Sequence, residues 1–161
     1  MTVSPEENEE FVDPLQNYEP VEYESRLEEA LAEEKVSAIS ILPCETVSPT
    51  TSVRDAIDKL NSLSISSLII VDESRVVGIF TERDVLERVA QQFSQVADSP
   101  VSEVMTADPF VVYGNDPVGA AVAATTLAGY RHVPVIDESG NLLGMISPPR
   151  VFEFMNSRMK P

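Results

Sequence analysis

The stretch Ser67-Leu-Ile-Ile-Val71-Asp-Glu-Ser-Arg75-Val-Val-Gly78-Ile-Phe80-Thr-Glu-Arg-Asp84 joins two apolar runs of strand length to a charged segment. Ser67 to Val71 is too short and too β-branched for a helix and reads as a buried strand. Asp72-Glu73-Ser74 turns the chain, and Arg75 to Phe80 returns as a second strand. From about Glu82 to Phe93 the spacing changes to helical, with Leu86, Val89, Ala90 and Phe93 on one side. Gly78, Thr81 and Asp84 stand at the junction. A hydroxyl followed by an acid three residues on is the pattern of a capping box, and Gly78 then marks a bulge. The same three residues can also present a close backbone approach, a hydroxyl and a carboxylate to a ligand.

Outward from this stretch the chain repeats itself. A shift of 65 residues lays Val36-Ser37 on Val101-Ser102, Ile39 on Val104, Val47 on Val112, Val53 on Val118 and Ala56 on Ala121. Asp72-Glu73-Ser74 falls on Asp137-Glu138-Ser139. One inserted residue, Gly140, moves the shift to 66, and Gly78 then meets Gly144, Thr81 meets Ser147 and Val85 meets Val151. A duplicated unit of about 60 residues follows. Each copy reads β-α-β-β-α. In the first, an extended piece at Glu45-Thr46-Val47 precedes a helix capped by Ser52, whose apolar face is Val53, Ala56, Ile57, Leu60 and Leu63. In the second, Asp116 caps a helix with Pro117 at its first position. Val133–Ile136 and Leu142–Ile146 are strands, and Ser147-Pro148 opens the closing helix. One such unit leaves a sheet face uncovered. Two can close on each other about a pseudo-twofold axis. The expected fold is therefore α/β (α+β), two units packed sheet to sheet. An acidic arm and short helix occupy 1–35, the first unit 36–96 and the second 97–161.

Composition narrows the function. The 161 residues carry 11 Lys and Arg against 27 Asp and Glu, a net charge of −16, of which −10 falls in residues 1–36. Such a surface repels nucleic acid and anionic membranes, so neither is an expected partner. Residues 1–22 are Glu- and Pro-rich and read as a loosely docked arm. Leu27, Ala30 and Leu31 then make a short helical stripe for the body or a second subunit. No apolar run reaches the length of a bilayer span, and no secretory signal is visible. The sole cysteine, Cys44, fits a reducing, cytoplasmic setting. Cys44 and His132 are single, lie in different units and belong to no nucleophile motif. No metal-ligand or phosphate-loop motif appears, so the chain is not expected to be an enzyme.

The element order, the repeat length, the hairpin quoted above and its partner His132-Val-Pro-Val-Ile-Asp-Glu-Ser-Gly-Asn-Leu-Leu-Gly-Met-Ile-Ser147 together resemble the CBS domain family. Two copies in tandem, over about residues 36–158, look like a Bateman module. The resemblance implies a regulatory module that senses energy state by binding AMP, ADP or ATP between the units, with Mg²⁺ accompanying ATP. It further implies a homodimer and a target protein that the sequence does not identify. A ligand-free dimerisation scaffold is the alternative. The family's ribose motif falls on Gly78, Thr81 and Asp84, with Asp84 accepting from two ribose hydroxyls. Its phosphate-facing positions fall on Arg131 and His132. The base is expected near Thr46, Val47, Ile79 and Pro134. In the second copy Arg150 replaces the acid, and in the first copy Ser66-Ser67 stands where the second has its basic pair. Arginine accepts no hydrogen bond, so Arg150 fills its cleft, pairs with an acid or reaches a phosphate. One nucleotide per chain is expected, in the cleft shared by Asp84 and Arg131.

Overall fold

The computed structural model of the chain describes Glu19 and residues 21–159. The expected acidic arm over 1–22 therefore lies, apart from Glu19, Val21 and Glu22, outside the described residues. Within the expected N-terminal helical stretch, α1 spans Arg26–Glu33, with the Ser25 hydroxyl accepting from the Glu28 amide.

In the first unit β1 (Thr46–Val47) leads to α2 (Val53–Leu63), β2 (Ser67–Asp72) and β3 (Arg75–Thr81). The Ser52 hydroxyl caps α2 through the Asp55 amide. Val53, Ala56 and Leu60 are buried, while Leu63 at the C-terminal end stays exposed. The single helix expected over 82–93 is instead a chain of short turns. These are α3 (Glu82–Asp84), a π turn (Val85–Val89), a 3-10 turn (Ala90–Gln92) and α4 (Phe93–Val96). The wider π turn rotates the face that meets the core. Val89 is buried and Val85 packs beside it, whereas Leu86 is 71% exposed and Ala90 points to solvent.

The second unit comprises β4 (Thr106–Ala107), β5 (Val112–Tyr113), α5 (Val118–Val122) running into a π turn (Ala123–Leu127), β6 (Val133–Ile136), β7 (Leu142–Ile146) and α6 (Pro148–Met159). Asp116 does not cap α5 as expected. Its carboxylate accepts from the Tyr113 amide, closing the turn before the helix, and Pro117 takes the cap position.

Four strands form one sheet in the order β1-β2-β3-β4, and three form the other in the order β5-β6-β7. In each sheet a parallel pair adjoins an antiparallel hairpin. The pleat sorts the side chains, because successive residues of a strand face opposite ways. Leu68, Ile70 and Phe80 enter the first core, and Val133, Val135 and Ile146 the second. Ile69, opposite Ile79, and Pro134, opposite Met145, take the other faces. Ile69 and Ile79 are buried yet belong to neither core. They are covered where the two sheets pack together, and Ser67 Oγ lies 3.4 Å from Met145 Sδ across that junction.

The units exchange their leading segments. Val36 and Ile39, which begin the first sequence copy, pack into the core of the second unit. Val101 and Val104, which begin the second, pack into the core of the first. β4 pairs with β3, placing Thr106 opposite Ile79. On the matching side the Met145 amide donates to the Ile41 carbonyl at 2.9 Å. This crossing explains both motif glycines. A Cβ on Gly78 would meet Met105 Sδ at 2.2 Å, and one on Gly144 would meet the Ile41 carbonyl oxygen at 2.6 Å. Gly78 thus clears a path for the chain's own connecting segment, not for a ligand.

Candidate functional site

Two clefts open between the units. The first, about 900 Å³, has Ile79, Thr81 and Asp84 on one wall and Arg131 and His132 on another, with Thr106 between them. Its volume is that of a small-molecule site. The second, about 550 Å³, is lined by Pro43, Cys44, Glu45, Met145 and Arg150. Ser66, Glu82, His132 and Ser147 border both.

Asp84 is 5% exposed, and its carboxylate is fully engaged. Oδ2 accepts from the Thr81 amide at 2.8 Å and from the Thr81 hydroxyl at 2.7 Å, while the Thr81 hydroxyl accepts in turn from the Asp84 amide. The capping box is therefore formed. Oδ1 accepts from the Thr106 hydroxyl at 2.8 Å and lies 3.5 Å from Arg88 Nη1. That guanidinium also donates to the carbonyls of Val104 and Met105, at 3.1 and 2.5 Å. The acid is a junction between the helix start of one unit and the leading segment of the other. A ribose hydroxyl can reach Oδ1 by taking the place of Thr106.

Across the cleft Arg131 is exposed and makes no ion pair or hydrogen bond among the described residues. His132 Nε2 lies 3.0 Å from Ser66 Oγ, so the ring ties the second unit to the first. Burial pushes its pKa below the usual histidine range. The Arg131 charge pushes the same way, and Glu82 opposes both. The imidazole is thus neutral at pH 7, and the expected basic pair consists of one cation and one neutral donor or acceptor.

The remaining expected residues are placed elsewhere. Thr46 is exposed on β1, Val47 packs on the core of the first unit, and Pro134 is buried in β6. None of the three lines the first cleft. The exchange of leading segments is the cause: the stretch before β1 serves the second cleft, and the stretch before β5 serves the first. The residues that occupy this wall are Thr106 and Tyr130, the latter stacked on Phe110 with centroids 5.0 Å apart and planes 7° from parallel. Their counterparts under the 65-residue shift are Ile41, Ile65 and Glu45. A position-by-position comparison of the copies would have singled out these replacements.

In the second cleft Arg150 Nη1 donates to the Met145 carbonyl at 2.7 Å and Nη2 to the Pro43 carbonyl at 2.6 Å. Of its three expected roles it takes the first, filling the space where its counterpart holds a carboxylate. Burial raises the pKa of the neighbouring Cys44 thiol, with Arg150 opposing, so it is not an activated nucleophile.

The family model for the CBS domain matches residues 36–91 and 101–157. An uncharacterised 17.7 kDa protein of Acidianus ambivalens is 33% identical over 114 residues, covering 70% of this chain and 68% of that protein. The CBS domain-containing protein CBSCBSPB1 of Arabidopsis thaliana is 29% identical over 115 residues, covering 71% of this chain but only 21% of that protein. The structure of CBSX2 in complex with AMP superposes with a TM-score of 0.68 at 24% identity, covering 78% of this chain and 98% of that one.

Proposed function

The chain belongs to the CBS domain family, and from that premise we propose that it is a regulatory, non-catalytic module that binds an adenosine nucleotide and modulates a partner protein. The observation that carries this reading is the inequality of the clefts. One combines a buried acid with an arginine from the opposite unit that has no partner among the described residues, and the other is filled by Arg150. In the first cleft Asp84 receives the ribose hydroxyls, Arg131 and His132 meet the phosphate, and the base lies against Ile79 and Tyr130. A related fold that holds AMP, in CBSX2, supports the ligand class by analogy of architecture. ADP and ATP, with Mg²⁺ accompanying ATP, belong to the same class, and sensing of energy state in the cytoplasm is part of the same proposal. Regulation of the target requires that the target prefer the bound or the free form.

Titration calorimetry with AMP, ADP and ATP tests this. One site per chain is expected, weakened at least tenfold by Asp84→Asn. Two sites per chain, or unchanged binding in the variant, would overturn it.

A second reading, a ligand-free homodimerisation scaffold, rests on two observations. The oxygens of Asp84 already have protein partners. Leu86, Leu127 and Phe152 are 71%, 86% and 67% exposed. Sedimentation of the chain with and without nucleotide separates the readings: a dimer that binds none of the three nucleotides favours the scaffold.

A further inference from the structure

Resting on the adenosine-nucleotide reading, we infer that the first cleft selects a nucleoside monophosphate over the di- and triphosphate. Its walls carry three carboxylates, Glu82, Asp84 and Glu87, and three guanidiniums, Arg83, Arg88 and Arg131. Two of the guanidiniums are committed. Arg83 Nε is 2.9 Å from Glu87 Oε1. Arg88 is shared between Asp84 and the carbonyls of Val104 and Met105. Arg131 is the one cleft cation without a protein partner among the described residues, and no lysine lines the cleft.

A guanidinium fork matches two oxygens of a single phosphate. Arg131 can therefore answer one phosphoryl group, with the imidazole of His132 adding a neutral hydrogen bond. A second or third phosphoryl group adds negative charge with no cation left to meet it. It also enters a cleft bordered by Glu82 and Glu87, on a chain of net charge −16. Nor can the second cleft lend a cation, because both terminal nitrogens of Arg150 are held by the carbonyls of Met145 and Pro43. Charge counting thus favours a single phosphate in the cleft over two or three without an added metal ion.

The test is calorimetry of the full chain with adenosine, AMP, ADP and ATP in buffer containing EDTA. AMP should bind at least tenfold more tightly than either adenosine or ATP, with ADP between AMP and ATP. Arg131→Ala should bring AMP to within about threefold of adenosine measured on the same variant. Arg131→Lys, which keeps the charge but loses the fork, should fall between. Glu82→Gln should narrow the gap between AMP and ATP. ATP binding as tightly as AMP without a divalent ion, or an AMP advantage over adenosine that survives Arg131→Ala, would overturn the inference while leaving the nucleotide reading in place. Failure of all four compounds to bind would overturn both.

Discussion

Asp84→Ala deletes the acceptor of three hydrogen bonds at a buried position. The hydroxyls of Thr81 and Thr106 can rotate toward other acceptors, but the Thr81 amide cannot. Arg88 retains the carbonyls of Val104 and Met105. The Thr81 cap itself persists, because its hydroxyl still accepts from the backbone amide of residue 84, so the loss is that of stranding the part-buried Thr81 amide, about 1–3 kcal/mol. For a chain of this size that lowers Tm by about 2–12 °C. Asp84→Asn keeps one carbonyl oxygen for the Thr81 amide and turns its NH₂ toward Thr106, whose hydroxyl accepts as readily as it donates. Its expected cost is about 1 kcal/mol. Urea denaturation without nucleotide, followed by far-ultraviolet circular dichroism, measures both, and the m-value should stay constant. Asp84→Ala within about 0.5 kcal/mol of the parent, below the cost of one stranded donor, would overturn this expectation. So would an Asn variant as unstable as the Ala variant, because Asp84→Asn keeps an acceptor for the Thr81 amide.

Other perturbations address other parts of the molecule. Because burial lowers the folded pKa of His132 below its ordinary 6.5, the unfolded chain binds the proton first. Stability should be constant above about pH 6.5 and fall as the pH drops from there toward the folded pKa, and thermal melts of His132→Gln should lose that part of the slope. Gly144→Ala should cost more than Gly78→Ala, since the first places a methyl against the Ile41 backbone and the second against the flexible Met105 side chain. Overpacking of this kind costs about 1–3 kcal/mol, and Met105→Ala should restore stability only in the Gly78→Ala background. Arg150→Ala should lower stability by about 1–3 kcal/mol through two lost charge-assisted hydrogen bonds, read by urea midpoints. It should not create a second nucleotide site by calorimetry, because no carboxylate takes the place of Asp84 in that cleft.

Much of the local structure was legible in the sequence. The runs at Ser67–Val71 and Val133–Ile136, the turns after them and the Ser52 cap are local features, set by side-chain periodicity and by short-range hydrogen bonds. The duplication was equally legible, and with it the inequality of Asp84 and Arg150. The helix after Asp84 was less so. Its periodicity suggested Leu86 and Phe93 as core residues, yet the π turn at Val85–Val89 brings Val85 and Val89 inward instead. Thr46, Val47 and Pro134, expected beside the base, do not line the first cleft, for a different reason. Thr46 and Val47 belong to the first copy in sequence, but nothing in their neighbourhood tells which cleft the stretch before them will border.

From the amino-acid sequence alone come the two β-α-β-β-α units, the Ser52 helix start, and the unlike residues at matching positions, Asp84 against Arg150 and Arg131 against Ser66. Packing between the units settled the exchange of leading segments, which puts Val36 and Ile39 in the second core, Val101 and Val104 in the first, and Thr106 beside Asp84. A segment's choice between two similar sheets is a non-local one. It depends on the clearance over Gly78 and Gly144 and on carbonyls that Arg88 and Arg150 can reach, and those exist only once both sheets have formed.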